Sequence, residues 1–413
     1  MRTIVAGIAL LGVAVTPAAW TTVRPGASQQ QPTFRGSTDI VLIDAHVVAR
    51  DGAPIQGLKA DQFEVLVDGR RRPIVSIEFT QAASRPPAAN DQPASAGSAA
   101  ARDGRVVVVA VDEGSFPATT QAAAREAATR VVDRVAPQDY VGLIAFPGRI
   151  EIAPTRDRAP LRQAISRISG LRVDPPSPRF NLSAIEAMLL KGRDPNATRE
   201  ITSRECQSDP RNPVCAQEVI GEGNAIADML EYQAVQSIAG LHGVLDAMAS
   251  LPDRKILLVI SAGLPLSNRP SARPNLNAEA ERVARHAATA NVNLYVFYMN
   301  VHFLRYFSAA YGKKNYAIFE DITMFGTGLE KFADSGGGTF FQIDVGADAS
   351  VDRVMRETSA SYLLAVQAEP DQRDGKEHFI RVTVNQRGAS VRYRQIVTIP
   401  KPADKTQAAN NRQ

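Results

Sequence analysis

The sequence runs to 413 residues, 44% of them hydrophobic, which excludes a wholly disordered chain and is too long for one small domain. Forty-seven Lys and Arg against 43 Asp and Glu leave a net charge of +4, a dispersed excess that argues against nucleic acid as a partner. Five histidines, two cysteines and one tryptophan leave little material for a zinc, haem or iron–sulfur centre.

The chain opens with Arg2, an apolar run from Ile4 to Val15 and the small residues Pro17, Ala18 and Ala19, the layout of an export signal. Residues 1–27 are therefore assigned to the signal and the start of the mature chain, with retention as an anchor reaching Trp20 as the alternative. No later apolar stretch has spanning length, so no transmembrane segment is expected after cleavage, and the protein is expected in the periplasm or secreted.

Residues 38–81 alternate apolar and polar side chains around Asp51-Gly52 and Asp68-Gly69, which predicts strands and hairpins. The run Arg70, Arg71, Arg72 reads as a solvated hairpin end rather than an anion patch. Residues 82–104 are rich in Pro, Ala, Ser and Gly and read as a linker.

From 105 to 358 the pattern changes to strands alternating with helices. RVVVVAV, YVGLIAF, KILLVIS, NLYVFYM and GTFFQI are the strands. Helices are expected near 119–135, 160–168, 182–190, 224–250, 277–290 and 329–334. Near-continuous apolar strands require a sheet covered on both faces, so the prediction is a mostly parallel, doubly wound α/β sheet. Residues 191–223 interrupt it as a polar excursion with little core of its own. There Cys206 and Cys215, close together in an exported chain, predict a local disulfide; no neighbouring His or helix start favours a reactive thiol instead. Residues 359–399 return to strand alternation, and the tail 400–413 is polar. Neither β segment supplies many strands alone, so the two are expected to pair into one β-sandwich-like domain carrying the α/β block as an insertion.

The order of these segments resembles the bacterial exported VWFA-related family of the acidobacterial type, built on the von Willebrand factor type A fold. The stretches that carry it are VVARDGAPIQGLKADQFEVLVDGRRRPIVSIEF, VVVVAVDEGS, LPDRKILLVISAGLP, LEKFADSGGGTFFQ and SASYLLAVQAEP with HFIRVTVNQ. The resemblance implies a Rossmann-like domain that binds macromolecules, without established catalysis. It also implies a place for magnesium at the strand ends, where a D-x-S-x-S pattern, a Thr and a second Asp supply hard oxygens.

That pattern is degenerate here. Asp112 holds the first position, Gly114 and Phe116 stand where the serines belong, and Ser115 is displaced by one. Ser261 stands where the later Asp is expected, and the middle loop offers Asn181 and Ser183 without a Thr. Glu113 adds a carboxylate, but neighbouring strand residues point apart. No cofactor is expected, with weak Mg²⁺ binding at Asp112 and Ser115 as the alternative.

No G-x-S-x-G elbow occurs and the five histidines are scattered, which disfavours a hydrolase. Gly336, Gly337 and Gly338 follow a helix and precede a strand, the wrong order for a phosphate loop, and read as a helix stop. Phe303, Tyr306, Phe307 and Tyr311, beside Arg305, Lys313 and Lys314, are residue types that anchor protein interfaces and are candidates for partner binding. The expected function is an exported, non-catalytic module that binds a protein or cell-surface ligand through the strand-end loops. The alternatives are a metal-dependent processing factor or hydrolase, and a structural component of the cell envelope.

Overall fold

The computed structural model describes residues 40–81, 104–173, 179–207, 213–251, 255–266, 275–301, 317–343, 346–399 and 401. The signal, nearly all of the linker and tail, and the aromatic candidates Phe303, Tyr306, Phe307 and Tyr311 lie outside the described residues.

Strands β1 (Ile40–Val48), β2 (Phe63–Val67), β3 (Arg70–Arg72) and β4 (Ile74–Gln81) come first. Asp68 and Gly69, both at positive φ, close the β2–β3 hairpin, the backbone that a two-residue turn of this hand demands. The α/β block then runs through β5 (Val106–Asp112), α1 (Gln121–Arg134), β6 (Tyr140–Phe146), β7 (Ile150–Thr155) and α2 (Ala159–Ile165). It continues with α3 (Ala184–Lys191), α4 (Pro195–Glu205), α5 (Pro213–Ala249), β8 (Lys255–Ser261) and α6 (Leu276–Thr289). Next come β9 (Val292–Met299), α7 (Ile318–Ser335), β10 (Gly337–Ile343) and α8 (Asp348–Glu357). Strands β11 (Ala360–Gln367), β12 (Glu377–Val384), β13 (Ser390–Tyr393) and β14 (Ile396–Thr398) finish the described chain.

The block forms a six-stranded sheet in the order β10-β9-β8-β5-β6-β7, parallel except for the antiparallel β6–β7 pair. The chain is thus mixed α/β with a mostly parallel sheet. Every residue of β5, β8 and β9 is buried, as double coverage requires. Alternation sorts the side chains: Val106, Val108 and Ala110 enter a core with α5, α6 and α7, while Val107, Val109 and Val111 enter one with α1, α2 and α8.

Two antiparallel sheets, β13-β1-β11-β4 and β14-β12-β2-β3, combine strands from both ends of the described chain. Their inner faces share one core, with Val41, Ile43, Leu364 and Val366 from one sheet and Val65, Val67, Ile380 and Val382 from the other. They join the parallel sheet at the amino ends of its strands. Arg105, just before β5, donates to Asp139 Oδ2 from Nη2 at 2.6 Å and to Thr358 Oγ1 at 2.9 Å. His46 on β1 lies 2.9 Å from the Asn293 side chain on β9. Gly337 opens β10 at positive φ, and a Cβ there would sit 2.7 Å from the Tyr393 carbonyl carbon, so only glycine lets the two sheets approach this closely.

Several elements differ from the sequence expectation. The excursion at 191–223 is largely helical. Asp194 caps α4 by accepting from Asn196 and Ala197, Pro195 pre-sets its first turn, and Ile201, Leu190, Val219 and Phe180 form a small core of their own. The Cys206–Cys215 disulfide joins the end of α4 to the first turn of α5, so a helix start does lie at Cys215. Helix α7 is far longer than the six residues expected, and β7 and α8 were not expected. Arg72 is 6% exposed and pairs with Glu369 and Gln372, so only Arg70 and Arg71 form a solvated hairpin end. No helix among the described residues is long and apolar enough to cross a membrane.

Candidate functional site

Strand β5 sits at the point where the sheet order reverses: β6 follows on one side, and the chain returns to lay β8 on the other. In open α/β sheets the crevice beyond the carboxyl ends of such strands is where ligands bind. Asp112 is the last residue of β5 and Ser261 the last of β8. Both continue the alternation that faces α5, so the pleat aims the two side chains at the same helix.

Helix α5 answers with Ser237, a polar residue inside the buried stripe Leu230, Ala234, Ile238, Leu241 and Leu245. The approach depends on Gly240, where a Cβ would stand 2.1 Å from Phe146 Cδ2 at the end of β6. Ser237 Oγ donates to Asp112 Oδ1 at 3.1 Å, and Ser261 Oγ donates to Oδ2 at 3.0 Å. The backbone N–H groups of Gly114 and Ser115 also donate to this carboxylate. Asp112 is 2% exposed, and burial pushes its pKa up to about 7 while the four donors pull against that rise.

Ser115 does not reach the carboxylate with its hydroxyl. Its Oγ donates to the Asp112 carbonyl at 2.7 Å and accepts from Ala262 N at 2.8 Å, which ties the loop after β5 to the loop after β8. Glu113 turns to the opposite face, where its carboxylate accepts from the N–H groups of Ser169, at 2.8 Å, and Gly148. Burial raises its pKa, and the two backbone donors counter the rise. Phe116, at the second serine position, is fully buried in the core beneath α1 and α2.

Asn181 and Ser183 belong to a different structure. Ser183 caps α3, its Oγ accepting from Glu186 N at 3.2 Å, and the carbonyl of Asn181 accepts from Arg204 at 3.1 Å. The buried carboxylate of Asp321 on α7 accepts from Ala184 N and Ile185 N at the same helix start. The sequence candidates thus separate into Asp112, Ser115 and Ser261 in one hydrogen-bonded cluster, Glu113 behind it, and Asn181 with Ser183 at a helix cap.

Magnesium requires a near-octahedral shell of hard oxygens. This cluster offers one carboxylate, which already accepts from Ser237 and Ser261, while the Ser115 hydroxyl links the Asp112 carbonyl to Ala262 N. No group of three or more His, Cys, Asp or Glu that could hold a metal occurs among the described residues. One carboxylate is fewer anionic oxygens than the two-aspartate pattern supplies. What the cluster does chemically is cross-link three elements, β5, β8 and α5, through a buried acid.

Beside the cluster, residues 171–173 lie against the loop after β5. Leu171 N donates to Glu113 O at 2.8 Å, and Arg172 donates to Phe116 O from its backbone and to Ser115 O from its side chain. The side chains of Leu171 and Val173, on either side of Arg172, are 48% and 79% exposed. No protein-family model matches the chain, and no curated protein is similar to it at a significant level.

Proposed function

We propose that this chain is an exported, non-catalytic binding module in which a von Willebrand type A-like domain, inserted in a β-sandwich, uses its strand-end loops to hold a protein or cell-surface partner. The type A reading is supported by the sheet order with its antiparallel edge strand and by an aspartate ending the first central strand. The Cys206–Cys215 disulfide is compatible with an oxidising location outside the cytoplasm.

The observation that carries the binding role is the placement of Leu171 and Val173. Both are apolar and exposed, and Leu171 with its neighbour Arg172 is tied by backbone hydrogen bonds to the loop that follows Asp112. The contacts with the antiparallel sheets lie at the other end of the parallel strands, at Asn293 and Gly337. Rigid exposed apolar side chains on a supported loop are the features that drive protein association.

The test is site-specific photo-crosslinking in cells that export the protein, with the probe at Val173 and a control probe at Gly388 on the sandwich. A discrete adduct from Val173 alone, abolished by Leu171→Asp, is the expected result. Identical adducts from both positions, or none from Val173, would reject the reading. Turnover of a substrate that disappears in Asp112→Ala would place the chain among enzymes instead.

A further inference from the structure

Away from the Asp112 cluster, the outer faces of α5 and α6 bring together His242, Asp246 and His286. The two Nδ1 atoms are 2.8 Å apart, and His286 Nε2 is 2.8 Å from Asp246 Oδ1. The ring planes differ by 20° with centroids 5.0 Å apart, so the nitrogens meet nearly head-on. We propose that His242 and His286 form a two-histidine site for a divalent transition metal of the zinc, nickel or copper class, with Asp246 as the carboxylate that orients His286.

The proton inventory supports this. A gap of 2.8 Å between two imidazole nitrogens admits one proton, never two. Asp246 accepts the Nε2 proton of His286, which leaves that ring's Nδ1 as a lone pair when the ring is neutral. His242 Nδ1–H then donates across the gap. On metal binding this one proton moves to His242 Nε2 through solvent, and both Nδ1 lone pairs turn to the ion. A carboxylate on the far nitrogen of a ligating histidine is the usual outer partner in such sites, because it fixes the tautomer and raises the ligand's basicity.

Distances and charges agree. Metal–nitrogen bonds of about 2.0 to 2.1 Å at cis angles of roughly 90 to 110° put the two nitrogens about 2.9 to 3.4 Å apart, so binding keeps nearly the present spacing while each Nδ1 lone pair turns roughly 35 to 45° off the line that joins them, by rotation of the side chains. Both histidines project from helices anchored on the core, by Leu241 and Leu245 on α5 and by Val283 and Ala287 on α6. The nearby Arg282 guanidinium is paired with Glu279. No third His, Cys, Asp or Glu completes a cluster among the described residues, so water would fill the remaining positions.

The test is calorimetric titration of untagged full-length protein with Zn²⁺, Ni²⁺ and Cu²⁺. Saturable uptake of one ion per chain is expected, lost in His242→Ala and in His286→Ala and weakened roughly 10- to 100-fold in Asp246→Asn. Circular dichroism of the metal-free variants checks that they fold. A readout on the unaltered chain accompanies it: bound Zn²⁺ should shield both histidines from diethylpyrocarbonate. Absent saturable uptake, uptake that survives both histidine substitutions, or no shielding would overturn the proposal, while leaving the strand-end binding role untouched.

Discussion

Replacing Asp112 with asparagine should abolish the pH dependence that this one residue imposes on stability. In the folded chain burial raises its pKa from 3.8 to about 7. Between those values the folded state holds the proton and the unfolded state has released it, so folding is favoured by acid and weakens as pH rises through the folded pKa. At roughly 1.36 kcal/mol per pH unit the whole interval is worth about 4 kcal/mol, and about 2 to 3 kcal/mol of it falls between pH 5 and 8. The residue is fully buried, so solvent does not dilute the effect.

Asparagine keeps an oxygen for one serine and presents an amide to the other, whose hydroxyl rotates to accept. It carries no titratable proton. Urea unfolding of both proteins at pH 5, 6, 7 and 8 isolates the term, because every other group cancels in the difference. The wild-type chain should lose about 2 to 3 kcal/mol relative to Asp112→Asn across this range. Parallel curves, or a wild type that gains on the variant as pH rises, would show that the carboxylate is not the buried, proton-holding group described here.

Three further outcomes follow from the same contacts. Ser237→Ala removes a donor from a buried acid and should destabilise the fold by about 1 to 3 kcal/mol by chemical denaturation, with the Asp112 transition moved to still higher pH. Gly240→Ala drives a methyl group into the Phe146 ring and should cost about 1 to 3 kcal/mol, read as a lower thermal midpoint; an unchanged midpoint would mean that α5 does not approach β6 this closely. Reducing the Cys206–Cys215 bond, which closes a short loop, should cost about 2 to 3 kcal/mol of stability, and a thiol assay on the unreduced native chain should find no free cysteine.

How much of this was legible in the sequence varies with the range over which each signal acts. The parallel strands were readable because a doubly covered strand must be apolar at every position, and VVVVAV and ILLVI announce that burial without reference to any partner. Helix α8 was missed because its apolar side is a short stripe of Val351, Val354 and Met355, with Ala347 just before its first turn, against α1 among charges that pair across it. Strand β7 is an edge, half exposed along its length, so its sequence lacks the apolar run that marked its neighbours. The burial of Arg72 depends on Glu369 and Gln372, far away in the chain, and no local pattern encodes such a pairing.

The site divides along the same line. Asp112 and Ser261 could be found because each ends a recognisable strand, and strand alternation already put Glu113 on the other face. Ser237 carried a weaker signal: a lone hydroxyl in the buried stripe of a long helix, at a position where packing alone calls for an apolar residue. A buried serine in a helix satisfies its proton either on the carbonyl one turn back or on an acceptor across the interface, and here the acceptor is Asp112. The glycine three residues on makes this contact possible, since it lets the helix sit low enough for a hydroxyl to reach the end of β5. Read together, Ser237 and Gly240 specify a close polar contact at the strand ends, and Asp112 is the acceptor that the pleat places there.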